Sequence, residues 1–131
     1  MLNRRTALLA IVAAPLLASV NGAMATERIH YTPEAFADAQ KAGRPILVEI
    51  TAPWCPICRA QKEVLSELLP IAPGHNLAIF EIDFDTQKDV VRAFGAQMQS
   101  TLITYKGSME VGRLIGETGR DAIKQLLVAT L

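Results

Sequence analysis

The run Trp54-Cys55-Pro56-Ile57-Cys58 holds both cysteines of a 131-residue chain. Two thiols two residues apart suit thiol–disulfide exchange. One thiolate attacks a disulfide sulfur, and the second resolves the mixed disulfide that results. A bridge between them would close a tiny loop and stabilise the fold little by chain entropy, so the pair is expected to cycle rather than to staple. Half of a zinc site would need two more ligands. The chain offers His30 and His75 but no second cysteine pair, so neither a native zinc site nor a resident cofactor is expected.

The elements around the pair set its chemistry. Pro45 to Thr51 is a short apolar, β-rich run, as in a strand buried on both faces. A helix is expected to start at the cysteines, with Ala60, Val64, Leu65 and Leu68 on its apolar stripe and Pro70 and Pro73-Gly74 ending it. Cys55 then lies in a first turn, where free N–H groups and the helix dipole favour a thiolate and lower its pKa. Pro56 fits the next slot because it needs no N–H there and its φ is preset. Cys58 follows one turn later, placed to resolve. Glu49 interrupts the apolar strand. Burial without a cation would raise its pKa, making it a candidate general base toward Cys58. Trp54 is expected to pack over the site.

Beyond the site, Thr32 caps an expected helix that begins at Pro33 and stops near Gly43. Leu77 to Asp83 reads as a strand, and Thr86 as the cap of a short helix reaching Phe94. Thr101–Tyr105 and Glu110–Ile115 read as strands joined across Gly107-Ser108. Thr118 is the expected cap of a last amphipathic helix. With a short strand at Arg28–His30, the pattern is α/β: a mixed central sheet with helices on both faces.

The first 25 residues have the three regions of a secretory signal peptide. Arg4 and Arg5 precede an apolar run from Ala7 to about Val20, and Gly22-Ala23-Met24-Ala25 closes with small residues. That run is shorter than the ~20 residues a membrane-spanning helix needs. Cleavage after Ala25 is therefore expected, giving a single domain over residues 26–131 in the periplasm or secreted. Without its leader the chain keeps eleven basic residues against thirteen acidic. It shows no basic patch for nucleic acid, and a monomer is expected.

The mature sequence resembles thioredoxin over nearly its whole length. Ile46-Leu47-Val48-Glu49-Ile50 resembles the strand before the active site, and Trp54-Cys55-x-x-Cys58 the redox motif. Residues Phe94 to Leu102 resemble the next landmark loop, and Lys106-Gly107 the hairpin turn. The resemblance implies a thioredoxin fold, with Cys55 as attacking thiol and Cys58 as resolving thiol. It also implies a client-binding surface at Trp54, Pro56, Ile57, Ser100 and Thr101.

Four positions depart from the family pattern. Pro56-Ile57 replaces Gly-Pro and is closer to glutaredoxins and periplasmic oxidants. Glu49 replaces a buried Asp. Ile79 aligns with the lysine that accompanies that acid. Ser100 aligns with the cis-proline beside the sulfurs, and a trans Gln99–Ser100 bond is expected because a cis bond before a non-proline costs ~3 kcal/mol. The expected activity is disulfide exchange with exported cysteine-containing clients, leaning to reduction, with a membrane partner supplying or removing electrons. Loss of the proline also leaves open a metal or iron–sulfur site built on the same two thiols.

Overall fold

The computed structural model describes residues 25–70 and 76–131. The expected leader up to Met24, the Pro73-Gly74 pair and His75 lie outside the described residues. The elements are β1 (Glu27–His30), α1 (Pro33–Lys41), β2 (Pro45–Thr51), α2 (Pro56–Leu68), β3 (Ala78–Asp83), α3 (Lys88–Ala93), β4 (Thr101–Lys106), β5 (Met109–Ile115) and α4 (Arg120–Val128). Among the described residues no helix is long and apolar enough to cross a membrane.

One five-stranded sheet has the order β1-β3-β2-β4-β5. β1, β3 and β2 run parallel, and β4 and β5 close the sheet as an antiparallel hairpin. Gly107, at φ 59°, makes the hairpin turn, a left-handed backbone that glycine adopts without strain. Every residue of central β2 is buried. Its alternation divides the core in two. Ile46, Val48 and Ile50 face α1 and α3, where Ala39, Phe80, Val91 and Ile103 join them. Leu47 faces α2 and α4, against Leu65, Leu68, Ile79, Ile123 and Leu126. Glu49, two residues on from Leu47, belongs to this second face.

Local chemistry fixes the helix starts. Thr32 is extended, and its hydroxyl accepts the Ala35 N–H at 3.0 Å, with Pro33 next in line. The two other expected caps are replaced. Asp83, at the end of β3, accepts the N–H groups of Asp85 and Thr86 at 2.9 Å each. Those bonds, Thr86's first, hold the Asp83 carboxyl below the usual carboxylate range. With Thr86 committed to that turn, α3 starts one residue later, after Gln87. Before α4 the capping position is Gly119 rather than Thr118, and the Glu117 carboxylate accepts the Gly119 N–H at 2.6 Å.

Candidate active site

β2 delivers the chain to Ala52, where a tight turn returns the Cys55 N–H to the Ala52 carbonyl at 3.2 Å. Cys55 is extended (φ −88°, ψ 110°) and caps α2, its Sγ accepting the Cys58 N–H at 3.1 Å. Pro56 is the first helical residue. Cys58 stands one turn up, and both thiols are free. The sulfurs share an apolar nest with Ala52 and Phe84.

Both cysteines are buried, at 1% and 2% exposure. The expected lowered thiol pKa at Cys55 is therefore reversed in this dithiol form. Burial, first, and a hydrogen bond with the Cys58 thiol push Cys55 above the ordinary thiol value, while the Cys58 and Ile57 N–H groups pull against them. The helix terminus acts as expected, but desolvation of the charged form outweighs it.

The exposed residues just before and between the cysteines are apolar. Trp54 is 56% exposed and Ile57 42% exposed, and Pro56 is exposed as well. Trp54 stands beside Cys55 as an exposed ring rather than as core filler. Its indole N–H donates to Asp85 at 2.7 Å, which pins the ring at the rim. Met98, in the loop before β4, is another exposed apolar side chain.

Glu49 is buried, as the strand pattern predicts, but it is not without a cation. Arg28 comes across from β1 and donates to its two oxygens at 2.7 and 3.3 Å. The same guanidinium lies 3.5 Å from Glu81, which pairs with Lys62 at 3.2 Å. The strand register puts Glu81 abreast of Glu49, whereas Ile79 is abreast of Leu47 and fills the core. The position beside the acid thus carries a second acid, and the cation arrives from the sheet edge. With both oxygens engaged by Arg28, Glu49 loses the ground for the general-base role. A separate cleft of about 220 Å³ reaches Cys58 between Arg59, Lys62, Glu81 and Asp83.

The described residues contain no cis peptide bond, so Gln99–Ser100 is trans as expected. Ser100 takes up the difference in its own backbone, with a φ of 58°. It is buried, and its hydroxyl donates to the Gln99 carbonyl at 2.5 Å. Thr101 is buried too and donates to the Met98 carbonyl at 2.7 Å. Both hydroxyls are thus engaged by carbonyls of their own loop. Among the described residues no cluster of three or more His, Cys, Asp or Glu is arranged to hold a metal.

Gln61 was not among the expected site residues. The buried face of α2 is Cys58, Gln61, Leu65 and Leu68. Ala60 and Val64, expected there, are only half-buried. A glutamine at helical spacing inside an apolar stripe was the available signal. Its amide donates to the Ser100 carbonyl at 2.9 Å and to the Glu117 carbonyl at 3.0 Å.

A dithiol capping a helix behind a buried strand, on a mixed sheet with helices on both faces, defines a protein-disulfide oxidoreductase. The chain belongs to the thioredoxin family, whose model, Thioredoxin, matches residues 27–129. The crystal structure of Trxlp from Edwardsiella tarda EIB202 superposes with a TM-score of 0.73 at 40% identity, covering 77% of this chain and 98% of that one. Thioredoxin from Mycobacterium bovis is 31% identical over 96 residues, covering 72% of this chain and 82% of its own. The bifunctional thioredoxin reductase/thioredoxin of Mycobacterium leprae is 31% identical over 88 residues, but this chain spans only 19% of that protein. Thioredoxins act on cysteine-containing protein substrates.

Proposed function

We propose that this protein works outside the cytoplasm, reducing disulfides of exported proteins through Cys55 and Cys58. The observation that carries the reading is the Cys55 sulfur capping α2 beside Cys58 under an exposed apolar rim. Cys55, as thiolate, attacks one sulfur of a client disulfide, and the client's other sulfur leaves as a thiolate. Cys58 loses its proton to water in the adjoining cleft and attacks the Cys55 sulfur. The client's second thiolate departs, and Cys55–Cys58 becomes the disulfide. Two electrons have passed to the client, and a membrane dithiol donor restores the pair.

The leader-like residues 1–25 support export and a mature start at Thr26. The apolar rim of Trp54, Pro56 and Ile57, with the backbone of the loop at Ser100 and Thr101, would receive the client chain. Glu49 contributes a fixed charge locked to Arg28.

The test is trapping in cells carrying the full-length chain. The Cys58→Ser variant should accumulate mixed disulfides with exported proteins in the periplasmic fraction, and Cys55→Ser should not. Equal trapping by both variants would overturn the roles. Adducts confined to cytoplasmic proteins, or an uncleaved chain, would overturn the location.

A further inference from the structure

The geometry points to Gln61 as the residue that positions the client-docking loop against the reactive sulfurs, in place of the missing proline ring. Ser100 has a left-handed backbone, which a non-glycine residue keeps only where its surroundings impose it. Two donors converge on its carbonyl: the Gln61 amide at 2.9 Å and the Gly116 N–H at 2.9 Å. Gln61 also donates to the Glu117 carbonyl at 3.0 Å. Both partners are acceptors, so only the NH₂ end of the side chain can face them, one hydrogen for each.

Gln61 is 3% exposed and lies one turn beyond Cys58 on the same buried face of α2. One side chain therefore ties the helix that carries the sulfurs to the loop of Met98, Gln99 and Ser100 and to the loop after β5. A ring packed beside the sulfurs would set the height of that loop by bulk. Here an amide sets it by direction, because its two hydrogens fix where both carbonyls must stand. Gln61 reaches no reacting atom. It acts through the Ser100 backbone, on how a client's main chain is presented to Cys55.

This inference rests on the reductase reading, and the experiment separates the two. Full-length protein, processed as it is in cells, is assayed on insulin, which must dock, and on hydroxyethyl disulfide, which is too small to use the loop. Gln61→Leu removes both donors at similar volume. Its KM for insulin should rise about tenfold, the scale of two lost neutral hydrogen bonds. Its kcat, and its rate with hydroxyethyl disulfide, should stay within about twofold of the parent.

Gln61→Glu supplies a second readout. Its carboxylate repels both carbonyls at neutral pH, but once protonated it regains one donor. Its insulin KM, relative to the parent's, should therefore improve as the pH falls from about 7 to 5. A Gln61→Leu variant that keeps the parent's insulin KM overturns the inference, as does an equal loss on both substrates. A pH-independent KM ratio for Gln61→Glu overturns it too. A parent that reduces neither substrate overturns the reductase reading and this inference with it.

Discussion

Arg28→Met strips Glu49 of two guanidinium hydrogen bonds while keeping an apolar stem over the strand. The carboxylate has only 3% of its side chain exposed, whereas Arg28 has 46%. Breaking a well-buried ion pair from one side costs about 3–5 kcal/mol. A stranded carboxyl has one escape, which is to bind a proton. At pH 7 that limits the loss to about 3.7 kcal/mol, taking 1.36 kcal/mol per pH unit above an unfolded carboxyl near 4.3. At pH 5 the same limit is about 1 kcal/mol. Water entering past the half-exposed site lowers both figures, so about 2–3 kcal/mol is expected at pH 7.

The sign follows from proton counting. Above about pH 4.3 the unfolded variant releases the proton that its folded form retains. The variant must therefore lose stability relative to the parent as the pH rises. Urea titrations of both proteins at pH 5, 6 and 7 measure the gap. A gap that does not change with pH, or one below about 0.5 kcal/mol at pH 7, would refute the argument that Arg28 holds a buried charge.

Three further outcomes are expected. Because burial first, and then the Cys58 thiol, push the Cys55 thiol up, iodoacetamide labelling of Cys55 in the dithiol form should keep accelerating beyond about pH 8.5; a plateau below pH 7 counts against it. The Thr104 hydroxyl is buried without a hydrogen-bond partner, so Thr104→Val should raise stability by about 1 kcal/mol in urea melts. Thr32→Ala removes the Ala35 cap of α1 and should cost about 1 kcal/mol, seen as a Tm lower by about 4–8 °C.

Much of this molecule could be read in its sequence where local chemistry decides. Thr32-Pro33 starts a helix by capping alone, and the apolar run from Pro45 to Thr51 is the central strand to the residue. Thr86 and Thr118 misled because neighbouring carboxylates set the turns before these helices: Asp83 takes the N–H groups of Asp85 and Thr86, and Glu117 takes that of Gly119. The environment of Glu49 was hidden for a different reason. Its partner Arg28 lies 21 residues away and reaches it only through the sheet order, which no periodicity reveals. Ile79 stands abreast of Leu47 and fills the core, so β3 brings Glu49 no cation of its own. The Cys55 thiol shows the same limit, since a helix terminus is visible in sequence and the depth of its burial is not.

Glycine 112 shows how closely α4 is seated. A Cβ there would lie 2.5 Å from a Leu126 methyl, so the closing helix lays that side chain onto bare backbone of β5. The opposite edge of the sheet is built differently. β1 is four residues long and pairs with β3 alone. Its entrance is held by Arg44, a buried cation that binds the Ala25 carbonyl, the Glu27 carboxylate and the Asn76 carbonyl. Short edge segments open first when a native protein fluctuates. Because Arg28 is carried on β1, each opening takes the counter-charge away from Glu49 and lets water in beneath the active-site helix. A cation on an interior strand would be released only by global unfolding. The charge beneath the dithiol is thus as durable as the anchorage of β1, and amide hydrogen exchange at Arg28 and Ile29 is the clock that reports it.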